Sequence, residues 1–186
     1  ILEVRGVSGT SVDRDRHDGL QEALKGSGKK WETIEVIGKW DDPTAQKVTA
    51  DAIAVHMKAN GVKTMGYIGF ADAYGDGWLA EIKRSAQTAG VKVVAEEKYN
   101  RADPSVTGQV LKLVSANPDA ILIAASGSAA AMPHKALVER GYKGKIYQTH
   151  GAATPDLARI GGKDVEGSYL VSGPAVMAEQ LPDSHP

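Results

Sequence analysis

The chain has 186 residues, 42% hydrophobic and 24% charged, with a formal net charge of −1. That length suits one domain or two very small ones, and that apolar content supports a core, which excludes a disordered chain. The balanced charge lacks the basic footprint of a nucleic-acid binder, and no apolar run is long enough to span a membrane.

The chain lacks cysteine, which rules out disulfides, thiolate metal sites and thiol catalysis. Aromatic residues make up 5%, with Phe70 the single phenylalanine, so the core must be built from Val, Ile, Leu and Ala, as in α/β layers. The chain opens inside an apolar run with no basic leader or apolar signal core. It is therefore expected to be a mature or excised protein that stays in the cytoplasm when expressed as it stands.

Strand signals come first in chain order, at Ile1–Val4 and Thr33–Ile37. Asp42 before Pro43 reads as an N-cap with proline in the first turn, and Gly61 closes that helix. Thr64–Ile68 is the next strand, and the helix around Trp78–Ala89 stops at Gly90. Val91–Ala95 follows. Asp103–Pro104 then repeats the capping device ahead of a stripe at Val106, Val110, Leu113 and Val114, with Pro118 just beyond. Ala120–Ala124 is a strand, Ala130–Arg140 a helix ending at Gly141, and Ile146–Gln148 a strand. Thr154–Ile160 reads as a short helix and Ser168–Val171 as a last strand, before a proline-bearing tail over Pro174–Pro186.

Strands and helices alternating at roughly 30-residue intervals predict parallel strands with helices on both faces. The expected fold is α/β, a flavodoxin-like three-layer sandwich with a mainly parallel sheet, in a single domain over residues 1–186. Whether all the βα units enter one sheet is open.

Ligands of open α/β sheets bind outside the carboxyl ends of the strands. The loops so placed are Arg5–Ser11, Trp40–Asp42, Phe70–Gly77, Ser126–Ala129 and Thr149–Ala153. Asp72 can cap the helix that follows it. Gly75 and Gly77 suit a turn needing positive φ, and Trp78 suits a core position. Ser126 and Gly127 open a helix whose free N–H groups suit an anion, or Ser126 is a plain cap. His150 suits a carboxylate or hydroxyl, or bonds a backbone group at the strand end. Trp40 could stack on a sugar ring, and Asp41 and Asp42 could accept hydroxyls.

Other chemistry finds little support. Gly26–Lys29 lacks the leading glycine of a phosphate loop, and GYIGFADAYGDG is not a dinucleotide fingerprint. There is no G-x-S-x-G elbow, and the five histidines form no ligand-spaced pair. No cofactor, metal or catalytic residue is expected.

Two stretches carry a family resemblance. MKANGVKTMGYIGFADAYGDGW, GKIYQTHGAATPDLARIGGKDVEG and VMAEQLPDS, within residues 57–186, resemble the second lobe of branched-chain amino acid (Leu/Ile/Val-type) binding proteins. ILEVRGVSGTSVDRDRHDGLQEALK and GKWDDPTAQKVTADAIAVH, within residues 1–56, resemble sugar (ribose/xylose-type) binding proteins. Both are type I periplasmic solute-binding families. Their members close two lobes around a solute and deliver it to an ABC permease. The resemblance implies binders rather than enzymes, with a periplasmic location for the parent families.

Residue by residue, it implies that Arg14 contacts a sugar, that Tyr74 with Asp72 beside it faces the cleft, and that Ser126 and Gly127 stand where a cleft residue, often aromatic, is usual. The small Ser126, Gly127 and Ser128 there leave room for a bulkier or aromatic ligand, and His150, in place of the acid that holds the substrate ammonium, suits a carboxylate or a hydroxyl better. For Arg14 a solvated helix start is the competing reading, with Asp13 and Asp15 favoured by the helix dipole.

The chain then joins pieces of two families inside a helix near residues 52–60, as an engineered chimera or a natural recombinant. The leading expectation is a single lobe with weak or vestigial small-molecule binding, acting as a monomer or weak homodimer. The alternatives are a working binder of amino acids, aromatic carboxylates or sugars through a homodimeric cleft, and a flavodoxin-like enzyme or signalling domain.

Overall fold

In the computed structural model, residues 2–171 are described, except 27, 29, 31 and 40. Trp40, the VMAEQLPDS stretch and the proline-bearing tail lie outside the described residues. The elements run β1 (Leu2–Arg5), α1 (Ser11–Gly26), β2 (Ile34–Ile37), α2 (Asp42–Ala59), β3 (Thr64–Phe70), α3 (Ala73–Ala89), β4 (Lys92–Tyr99), α4 (Thr107–Ala116), β5 (Ala120–Ala124), α5 (Ser128–Glu139), β6 (Lys145–Gln148), α6 (Pro155–Gly161) and β7 (Tyr169–Leu170). A strand forms at each of the seven expected apolar runs.

Every strand pair is parallel, but the strands fall into two sheets. β4-β3-β5-β6-β7 form a five-stranded sheet, and β1-β2 form a separate ladder. The cause is edge occupancy. β3 is paired along one edge by β4 and along the other by β5, which leaves no position beside it for the first βα units.

Alternation along the strands builds the core. In β5, Leu122 and Ala124 face one way with Tyr67 and Met65, against Ile53, Ala54 and Met57 of α2 and Trp78, Ile82 and Ala86 of α3. Ile121 and Ile123 face the other way with Ile68 and Phe70, against Val110 and Leu113 of α4 and Leu137 of α5. Parallel strands covered on both faces read as unbroken apolar runs, as β5 does. Leu2 and Val4 of β1 pack against the first of these clusters. The helix across the expected join is unbroken: Ala50, Ile53, Ala54 and Met57 form one buried stripe along α2.

Two helix starts differ from expectation. Asp41, not Asp42, caps α2: its backbone is extended and its carboxylate accepts the Thr44 N–H at 2.9 Å. Asp42 and Pro43 are the first helical residues. Asp41→Ala should therefore lower the urea midpoint, while Asp42→Ala should leave it nearly unchanged; equal losses would refute this cap.

Asp103 does not cap α4. Its carboxylate turns back to the Asn100 N–H at 2.8 Å and closes the turn leaving β4. The helix starts later, at Thr107, where Val106 is buried and the Ser105 hydroxyl accepts the Thr107 N–H at 3.2 Å.

Candidate functional site

The carboxyl ends of β3, β4, β5 and β6 converge on one cluster. Asp72 follows β3 as the N-cap of α3, its Oδ1 accepting the Gly75 N–H at 3.1 Å. Its Oδ2 accepts from Arg101 Nε at 2.7 Å. Burial works to raise the Asp72 pKa, but the Gly75 N–H and the Arg101 guanidinium outweigh it and hold the carboxyl below its usual range. Arg101 Nη1 also donates to Ser126 Oγ at 3.2 Å, and the guanidinium lies 4.0 Å over the Phe70 ring. One arginine thus ties the ends of β3 and β5 together from the loop after β4.

Tyr74, in the first turn of α3, bonds the Thr149 hydroxyl at 2.9 Å beyond the end of β6, and burial raises its phenol pKa. Thr149 in turn donates to the Ala125 carbonyl at 3.4 Å. The Gly127 N–H donates to the Gly151 carbonyl at 2.9 Å, stitching the β5 and β6 loops. Gly127 has φ +56°, a conformation that favours glycine. A Cβ at Gly151 would meet the Ala125 carbonyl at 2.7 Å and the Tyr74 hydroxyl at 2.8 Å. His150 stands exposed at the rim, its ring 6.0 Å from Tyr74 and 5.9 Å from Trp78. The packing around its imidazole lowers its pKa, and the charge of Asp42 opposes this more weakly.

Tyr74 and His150 open onto a cavity of about 330 Å³, also lined by Val4, Asp42, Ala45, Gln46, Thr49 and Val171. One wall comes from the lobe and the opposite one from β1 and the start of α2. A second cavity, about 370 Å³, lies along the same seam, beside Leu2, Ile34, His56, Tyr147, Gln148 and Leu170. The first is the candidate site, because Tyr74 and His150, from the loops that follow β3 and β6, line it at the carboxyl ends of the strands, where crossing loops gather polar groups.

Asp72, Tyr74, Ser126, Gly127 and His150 are thus brought together. Arg14 is not: it is exposed, ion-paired with neighbouring Asp15 at 3.1 Å, and does not line the cavity. Its neighbour Asp13 is buried instead, holding Arg5 at 2.8 Å and the Gly6 N–H at 2.8 Å. Gly75 and Gly77 are helical, without positive φ, contrary to the turn role expected of them. Gly75 is required by a close approach to the Phe70 backbone. Trp78 is fully buried, as expected.

Arg101 and Thr149 were not among the expected site residues. For Arg101 a signal existed: Tyr99–Asn100 ends β4, but Glu96–Lys98 read as polar because β4 is an edge strand, half exposed. Among the described residues, Glu3, His17 and Glu35 are close enough to share an ion. Those groups already serve as partners, Glu3 to His17 at 2.9 Å and Glu35 to Arg5 at 3.1 Å.

The family model described as periplasmic binding protein matches residues 39–184. An extracellular ligand-binding receptor from Rhodopseudomonas palustris HaA2 is 34% identical, with a TM-score of 0.68 over 98% of this chain and 68% of that one. The chain belongs to the periplasmic binding protein family. A further Rhodopseudomonas palustris protein, from strain CGA009, is 35% identical, with a TM-score of 0.66 over 99% of this chain and 70% of that one. A leucine-binding protein from Thermotoga maritima shares the fold at 18% identity, with a TM-score of 0.63 over 91% and 67% of the two chains. No curated protein matches. The five-stranded sheet with its helices is a single lobe of a type I periplasmic binding protein, and the site cluster lies at the carboxyl ends of its strands.

Proposed function

We propose that this chain captures a small organic solute in the cavity between Tyr74 and His150 on one side and the start of α2 on the other. The observation that carries this reading is the convergence of two expected binding residues on one concavity of about 330 Å³, within the range of small-ligand sites. A lone lobe presents half a cleft and leaves most of a ligand wet. Here β1 and α2 supply an opposing wall, which favours real binding over a vestigial site.

The cluster of Arg101, Asp72 and Ser126 holds the loops in place, so the cavity costs little to organise on binding. The chain acts as a receptor rather than an enzyme, as a monomer or weak homodimer, in a lineage that feeds ABC permeases. The sugar-like residues 1–56 then form a segment from a sister family, joined within α2.

A thermal-shift panel of aliphatic amino acids, aromatic carboxylates, pentoses and hexoses tests this. Stabilisation follows RT ln(1 + [L]/Kd), so one class should raise Tm progressively with concentration up to tens of millimolar. A flat response to every class would refute solute capture.

A further inference from the structure

The second cavity, along the seam between the β1–β2 ladder and the five-stranded sheet, carries three rings on its wall. Tyr147 and Tyr169 are neighbours across the β6–β7 ladder and stack, with centroids 4.7 Å apart and planes 16° apart. His56 of α2 stands edge-on to both, 5.8 Å from Tyr147 and 4.9 Å from Tyr169. Such a wall favours another ring, because aromatic faces and edges attract beyond what buried area alone supplies. Leu2, Ile34 and Ile53 line the rest with apolar surface, and among the described residues Val171 alone also lines the cavity of Tyr74 and His150.

The polar side chains here are mostly engaged. Gln148 turns to α5, where its Nε2 donates to the Ala130 carbonyl at 3.3 Å, and its Oε1 is sealed from solvent. Ser168 Oγ donates to the Val165 carbonyl at 2.7 Å. The Tyr169 hydroxyl has no partner among the described residues and is not sealed, so water serves it. That leaves His56 and Tyr147, joined at 3.1 Å between Nδ1 and the phenol oxygen. Burial lowers the His56 pKa, so the imidazole is neutral at pH 7.

The neutral pair holds two polar hydrogens and spends one on the bond between them. If the phenol donates, the Nε2–H is left over; if Nδ1–H donates, the phenol O–H is left over. The Asn60 amide, 3.3 Å from Nε2, is itself a donor and takes up neither. Either tautomer therefore presents one spare donor, and among the described residues no ionised side chain lines the cavity.

We infer that this cavity is a second small-molecule site, apart from the solute cavity, for a neutral planar aromatic compound with one acceptor oxygen, such as an aryl ketone. The aromatic ring lies against the Tyr147–Tyr169 stack, and the oxygen takes the spare hydrogen of the His56–Tyr147 pair. At about 370 Å³ the space falls in the range of small-ligand sites. A sugar would leave hydroxyls unpaired against these walls, and an ion would find no opposite charge. An occupant also touches both the ladder and the sheet, which share no strand pairing.

The test is a methyl NMR titration of the whole chain with acetophenone, cyclohexyl methyl ketone and benzoate. Acetophenone should shift the methyls of Leu2, Ile34 and Ile53 in a saturable way and leave those of Val4 and Ala45 in place. It should bind about threefold tighter than the saturated ketone, and benzoate about tenfold more weakly than acetophenone. Tyr169→Leu, which keeps an apolar cover, should bring the two ketones level. His56→Phe combined with Tyr147→Phe, which keeps both rings and removes the donor, should weaken acetophenone about fivefold. The methyl map and the ranking on the unsubstituted chain decide the matter if either variant fails to fold.

No saturable shift, a saturated ketone that binds as tightly, tightest binding of benzoate, or an acetophenone affinity indifferent to the paired phenylalanines would each overturn the inference. Shifts at Val4 and Ala45 with Ile34 and Ile53 unmoved would place the ketone in the solute cavity, which overturns the second site and leaves solute capture standing.

Discussion

Trp78→Ala is expected to destabilise the chain by about 4 kcal/mol, read from urea unfolding. Trp78 is fully buried, between α2 and the five-stranded sheet, with Ile82, Met65 and Tyr67 in the same cluster. Removing the indole from this cluster leaves a void. The loss is one of packing. The indole N–H is buried and lies near the Tyr74 hydroxyl without a well-formed hydrogen bond, so little bonding energy goes with it. Trp78→Phe should cost much less, because it keeps an aromatic ring and removes an unpaired donor.

The same substitution reaches the site. The Trp78 ring packs edge-on against Tyr74 at 6.4 Å and lies 5.9 Å from His150, so it backs the two residues that line the cavity on the lobe side. Solute binding should weaken together with stability. A loss below about 1.5 kcal/mol would show that the site collapses around the missing ring and that the core is looser than its burial implies.

How far the sequence reveals this molecule depends on the range of the forces involved. All seven strands are legible because apolar runs are local and burial on both faces leaves no ambiguity for Ala120–Ala124. Helix ends are legible to within a residue or a few. Asp41 and Asp42 are chemically equal caps, and only the extended backbone of Asp41 decides between them. Asp103 shows the same limit, since a carboxylate beside a proline can reach forward to a helix or back to Asn100.

Sheet membership is not legible, because whether β1 joins β3 depends on competition from β4 and β5, which come later in the chain. At the site, the loops after β3, β5 and β6 are readable from strand-end position alone. Arg101 is hidden by the polar face of its edge strand. The cavity wall from Asp42 to Thr49 is a tertiary result with no local sign.

Gly75→Ala should cost about 3 kcal/mol, against a helix propensity gain of about 1 kcal/mol that would favour alanine elsewhere in a helix. A Cβ at Gly75 would lie 1.9 Å from the Phe70 carbonyl oxygen and 2.8 Å from its carbon. Both are backbone atoms of β3, held in a sheet with neighbours on each side, so no rotamer change relieves the clash. The turn is also pinned from below: the buried Tyr67 hydroxyl donates to the Gly75 carbonyl at 2.7 Å, and Asp72 accepts the Gly75 N–H.

Relief therefore requires the first turn of α3 to lift off β3. That carries Tyr74 away from Thr149 and Asp72 away from Arg101, so solute binding should be lost along with stability. Gly77 is the control, two residues on in the same helix. Its Cβ would meet only the Gln46 Oε1 at 2.8 Å, the end of a flexible side chain that can swing aside. Gly77→Ala should then be near neutral in urea midpoint. If Gly75→Ala matched it, the close approach of α3 to β3 would be refuted, and with it the rigid seat of Tyr74 on which the cavity wall depends.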